Sequence, residues 1–129
     1  MVQPGRGGDT VSVDALHHLA EVEEIRIGFR RLDGSSRSVP IWVVQVGDQI
    51  YVRSVRGPKG GWYRRLRANP DGETWDGEHR HLVHAEAVTD AGTLDQVTRA
   101  YATKYGGSPF VRPLLGGPSV DATLRLDPA

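Results

Sequence analysis

Between Glu24 and Val88 the apolar side chains recur at every second position over several short segments, mostly joined by turns too short to hold a crossover helix. Parallel strands need a connection of a dozen or more residues, so this part of the chain is expected to pair antiparallel. Glu24-Ile25-Arg26-Ile27-Gly28-Phe29-Arg30 alternates as a half-buried strand does, and Asp33-Gly34-Ser35-Ser36 is a turn signal. Ile41 to Val46 is β-branched and apolar on both faces, the pattern of one central strand. Gly47-Asp48 makes a tight hairpin into a strand from Gln49 to Val55. Two more strands, around Glu73 to Trp75 and from His79 to Val88, meet at an Asp76-Gly77 turn, and Ala122, Leu124 and Leu126 alternate in a last one.

Helical signals are few. Ser12 caps a short helix from Val13 to Ala20, with Val13, Leu16 and Leu19 on one face. Trp62 to Arg67 reads as one or two helical turns, stopped by Asn69-Pro70. Thr93-Leu94-Asp95-Gln96 has capping-box spacing, and the helix it opens carries Leu94, Val97, Tyr101 and Tyr105 on roughly one face before Gly106-Gly107 ends it. The expected fold is therefore mainly β with helices (α+β), a small antiparallel barrel with two or three short helices packed outside. Residues 1–10 read as a disordered leader and 11–129 as a single domain.

Composition narrows the function. There is no Cys, which removes thiol catalysis, thiolate metal sites and disulfide scaffolds. Lys and Arg balance Asp and Glu at 16 each, so neither nucleic acid nor a membrane surface is an expected partner. No apolar run approaches the ~20 residues that span a bilayer, and the N-terminal segment lacks a signal-peptide core; the expected location is cytoplasmic.

The stretch that carries chemistry runs from Arg53 to Arg67. It holds Arg53, Arg56, Lys59, Arg64, Arg65 and Arg67 and no acid. A Gly-rich loop exposes its backbone N–H groups, the following helix start adds the positive end of its dipole, and Arg forks bind phosphate oxygens in pairs. Together these make a phosphate cradle, although the spacing is neither the Walker pattern nor the dinucleotide fingerprint. A solvated basic loop before an amphipathic helix, with Trp62 and Leu66 facing the core, is the plainer alternative.

Three pieces of the chain resemble the deazaflavin-dependent nitroreductase type of split β-barrel: Asp33 to Pro40, the hairpin through Gly47-Asp48 into Tyr51-Val52-Arg53-Ser54, and Gly57 to Pro70. Trp42-Val43-Val44, Tyr51 to Gly57, Trp62-Tyr63 and Ala100-Tyr101-Ala102-Thr103-Lys104-Tyr105-Gly106 resemble the pattern of the DUF2255 family of bacterial proteins over roughly residues 22 to 128. The resemblance implies a split barrel. It implies phosphate or cofactor-tail binding at Arg53, Ser54, Arg56, Gly57, Lys59, Gly61, Trp62 and Tyr63, and at Arg37. Arg64-Arg65 departs from the nitroreductase pattern, which has Asn two residues after the Tyr. The implied cofactor is F420 or FMN, the implied activity an oxidoreductase acting on a small organic molecule, and the implied assembly a homodimer. A cofactor-free enzyme and a non-catalytic ligand-binding module stay open beside it.

Elsewhere the candidates are thinner. Trp42, Tyr101 and Tyr105 are candidate pocket residues, with ring packing against the barrel as the alternative role. His79 and His81 share a strand face and His84 takes the other; two such His lack the third or fourth ligand of a closed site, so no metal is expected.

Overall fold

The computed structural model describes residues 21–129. Seven strands form one antiparallel sheet: β1 (Ile25–Arg30), β2 (Ser36–Ile41), β3 (Val43–Val46), β4 (Gln49–Arg53), β5 (Asp71–Asp76), β6 (His79–Ala87) and β7 (Thr123–Pro128). Their order is β2-β1-β5-β6-β7-β4-β3. The two edge strands are thus neighbours in the chain, parted by Trp42 alone. A flat seven-stranded sheet would hold its edges far apart, so the sheet curls until they meet: a curled half-barrel.

The concave side is filled by Ile27, Val43, Ile50, Val52, Val83, Leu124 and Leu126, and by Tyr63 and Leu66 from helix α1 (Gly61–Ala68). Helix α2 (Ala91–Tyr105) covers the other face, where Val97, Tyr101 and Tyr105 pack with Val44, Tyr51, Val111 and Leu114. Two 3₁₀ segments, Pro109–Leu114 and Gly117–Ala122, return the chain to β7. Among the described residues no helix is long and apolar enough to cross a membrane.

The expected mainly-β antiparallel fold with short helices is what forms, as a half-barrel, with local corrections: α2 packs outside the sheet, whereas α1 sends Tyr63 and Leu66 into the core on the concave side. The single strand read from Ile41 to Val46 is two, because at Trp42 the free edge is bonded to a helix and not to a strand. Tyr101 Oη donates to Trp42 O (2.9 Å), Lys104 Nζ to Val43 O (2.6 Å), and Val43 N–H donates to Tyr105 Oη (3.1 Å), which itself donates to Glu23 O (2.6 Å). The Trp42 indole lies flat on the Tyr105 ring, with centroids 4.1 Å apart and planes 3° from parallel. The strand read as running to Val55 stops at Arg53. The N-cap of α2 is Asp90, not Thr93: Asp90 Oδ2 accepts from the backbone N–H and the hydroxyl of Thr93, both at 2.8 Å, which holds its carboxyl below the usual range. The helix read from Val13 to Ala20 lies outside the described residues.

Candidate functional site

A cleft of about 370 Å³ opens where the β2–β3 corner, the end of β4, the start of α1 and the first 3₁₀ return segment meet. Ligand pockets span roughly 300–1,000 Å³, and this cleft lies toward the lower end of that range. One wall is polar. It is made by Ser54, Arg56, Gly60 and Gly61. The other walls are mostly apolar: Val39, Ile41 and Trp42 from the corner, Trp62 from α1, and Phe110 and Leu114 from the 3₁₀ segment, with Glu24 and the buried Arg53 as the charged exceptions.

The polar wall follows from local geometry. Gly57 turns the chain at φ +70°, and a Cβ there would lie 2.6 Å from Pro118. Gly60 then serves as N-cap of α1 without any side-chain cap, and the first intrahelical bond is from Arg64 N to Gly60 O (3.0 Å). The N–H groups of Gly61, Trp62 and Tyr63 therefore have no partner within the helix. Ser54 is 1 % exposed, and its hydroxyl makes no hydrogen bond among the described residues. It stands against Gly60, where a Cβ would come within 2.1 Å of Ser54 Oγ. A hydroxyl that makes no hydrogen bond to the described residues, an uncapped helix start and the cation of Arg56 thus share one wall, and glycine at position 60 leaves room for Ser54 Oγ beside the helix start. That donor set suits a phosphate monoester.

The structure brings six of the sequence-predicted residues into the cleft: Trp42, Arg53, Ser54, Arg56, Gly61 and Trp62. It places the others elsewhere. Arg37 is on the exposed face of β2, opposite Phe29 of β1. Gly57 is buried under Pro118 and acts on the course of the loop. Lys59 is exposed in its 3₁₀ turn, outside the cleft. Tyr63 is a core residue with its hydroxyl on Asp121 O (3.3 Å). Tyr101 and Tyr105 are buried, and their hydroxyls go to the corner backbone; burial pushes both phenols up, Tyr105 to about 12. Sequence reading missed Glu24, Val39, Pro40, Ile41, Val55, Gly60, Phe110 and Leu114. Gly60 had a signal, as the last residue before a helix start. Glu24, Phe110 and Leu114 had none, since they reach the cleft only through the fold.

His84 bridges Asp71 and Glu86 at 3.0 Å each on the outer sheet face, and these bonds, Asp71 first, raise its pKa. Among the described residues no group of three His, Asp or Glu is arranged to hold a metal.

The fold is shared with solved structures at low sequence identity. A conserved hypothetical protein of Mycobacterium tuberculosis aligns with a TM-score of 0.66 at 14 % identity, covering 90 % of this chain and 78 % of that one. An F420-H2-dependent reductase aligns at 0.62 and 14 %, covering 81 % and 94 %. HutZ, a haem storage protein of Vibrio cholerae, aligns at 0.68 and 15 %, covering 90 % and 88 %. No functionally curated protein matches the sequence. Residues 15–126 match the family DUF2255, described as uncharacterized proteins conserved in bacteria, and the chain belongs to that family.

Proposed function

We propose that the cleft binds a phosphorylated flavin-type cofactor, FMN or the deazaflavin F420, and that the protein uses it as an oxidoreductase on a small organic molecule. The observation that carries this reading is the pairing of two unlike walls: a phosphate cradle of Ser54, Arg56 and the uncapped start of α1, facing apolar walls with the indoles of Trp42 and Trp62. A flat ring with an anionic tail has that same division. When bound, the ring would supply the electron or hydride chemistry, and no side-chain acid or base is compulsory. The chain's own groups would do the rest. Ser54 Oγ and the N–H groups of Gly61 and Trp62 donate to phosphate oxygens, Arg56 neutralises their charge, and Trp42, Ile41, Phe110 and Leu114 exclude water from the ring.

The fold relationship to an F420-H2-dependent reductase supports the redox reading. The relationship to a haem storage protein suggests another occupant, but among the described residues the cleft lining holds no His, Cys, Met or Tyr of the kind that ligates haem iron. Val55 and Phe110 stand 58 % and 75 % exposed at its rim, where a second copy of the chain would cover them and close the site.

The test is an absorbance and fluorescence titration of the purified protein with FMN, riboflavin and F420, run beside light scattering for the mass. Saturable micromolar binding of FMN or F420, about −8 kcal/mol, is expected. FMN should bind better than riboflavin, a preference that Arg56→Ala reduces, and the mass should be that of a dimer. No binding of either phosphorylated ring would remove the cofactor reading; equal binding of FMN and riboflavin would remove the cradle.

A further inference from the structure

Arg53 is the buried charge that the phosphate cradle does not use. It is 2 % exposed and lines the cleft at the end of β4. Its Nε donates to Thr123 Oγ1 (2.8 Å), Nη1 to Thr98 Oγ1 (2.7 Å) and Leu114 O (2.8 Å), and Nη2 to Leu94 O (2.8 Å). Four of the five guanidinium N–H groups are thereby held by neutral acceptors. The fifth, on Nη2, has no acceptor among the described residues, and no carboxylate pairs with the cation there. The guanidinium carbon lies 5.9 Å from the centroid of the Tyr101 ring. A buried cation without a counter-ion is costly, and neutral dipoles offset only part of that cost. Desolvation accordingly pulls its pKa below the ordinary value, yet a guanidinium stays protonated.

The position of this charge differs from that of the cradle. Arg53 is bonded toward α2 and the 3₁₀ segment at Leu114, whereas Ser54, one residue on, stands against Gly60 at the start of α1. The cleft therefore has cationic stations on two different walls: Arg56 with the α1 start, and Arg53. One phosphate occupies one of them.

We propose that Arg53 is a second anion station that stabilises the negative charge a bound flavin-type ring takes up on reduction; this rests on the cofactor reading above. Reduction adds two electrons and one proton, supplied by an external reductant and by solvent, and leaves the ring one unit more negative. A fixed, desolvated cation in the cleft favours that product over the oxidised ring. Arg53 is here a positioning and tuning residue, distinct from the groups that hold the phosphate.

The experiment is a reductive titration with dithionite against a reference dye, on the full-length protein loaded with FMN, or with F420 if the binding titration selects it. The bound ring should have a midpoint potential at least 30 mV above that of the same ring free in the same buffer, which is at least tenfold tighter binding of the reduced form. Arg53→Met should cancel that shift, and Arg53→Lys, which keeps the charge and loses the fork, should retain most of it. A purely structural Arg53 would lower the melting temperature in both variants and leave the potential unmoved. The proposal is overturned by a wild-type potential at or below that of the free ring, or by an unchanged potential in folded Arg53→Met. If Arg53→Met does not fold, Arg53→Gln, which drops the charge and keeps an amide donor for the Leu94 or Leu114 carbonyl, carries the same comparison. Absence of any bound ring would show in the binding titration first, and would remove both readings together.

Discussion

Gly60 is the residue at which the cradle can be closed with one carbon atom. Its φ of −62° is one that any residue adopts, so alanine is not strained there by backbone conformation. The obstacle is contact: the new Cβ would meet Ser54 Oγ at 2.1 Å, with Ser54 Cβ and Gly57 O next at 3.3 Å. The serine hydroxyl is the short mobile end of its side chain and can rotate away, but it then leaves the wall from which it faces the cleft. Gly60→Ala should therefore keep the fold, helped by the lower entropy of its unfolded chain. It should lose FMN affinity by roughly tenfold or more, about 1.4 kcal/mol, with riboflavin affinity little changed. Melting curves and the two titrations check this. Equal losses for FMN and riboflavin would place the effect on the ring and not on the phosphate.

At the scale of elements, two patches of the family pattern turn out to be one device. Trp42-Val43-Val44 forms the corner at which the sheet edges meet, and Tyr101, Lys104 and Tyr105 of α2 bond to that corner's backbone. Tyr105→Phe would keep the stacked ring and strand the buried Val43 N–H. The expected destabilisation is about 1–3 kcal/mol, read as a lower urea midpoint at unchanged slope; a variant as stable as wild type would mean that the hydroxyl is not the partner. This also shows where sequence reasoning stopped. Tyr101 and Tyr105 were legible as one helix face, but a hydroxyl's choice between pocket and backbone depends on what the fold sets opposite it. Strands with clean alternation, such as Ile25–Arg30 and Thr123–Pro128, were readable. Ser36-Arg37-Ser38-Val39-Pro40 was not, because as an edge strand it buries too little to show a period. Of the cleft, the Ser54-to-Trp62 wall could be read from a Gly-rich loop before a helix. The wall of Phe110 and Leu114 comes from about 50 residues further along and leaves no local mark.

For the whole molecule, the groups buried between α2 and the sheet give stability a particular dependence on alkaline pH. Burial pulls the Lys104 ammonium down to about 8 from the ordinary 10.5, against a smaller opposing pull from Glu23. Between those two values the unfolded chain binds more protons than the folded one, so this group makes stability rise with pH from about 8 to 10.5. Tyr105, pushed up to about 12, and Tyr51 and Tyr101, also raised by burial, act in the opposite sense. They stay protonated in the fold while their unfolded counterparts ionise near pH 10, so their contribution is lost as pH rises beyond that value. Lys104 is only half-buried, and water screens its part, which is therefore modest. The two effects separate in a difference measurement. The melting temperature of wild type minus that of Lys104→Met should move in favour of wild type between pH 8 and 10, while both proteins lose stability above pH 10 as the tyrosine contribution fades. A flat difference across that range would mean that the ammonium is solvated in the folded protein and that its bond to Val43 O does not bury it. A difference that moves toward the variant would mean that the ammonium's attraction to Glu23 and to the Val43 carbonyl outweighs its desolvation.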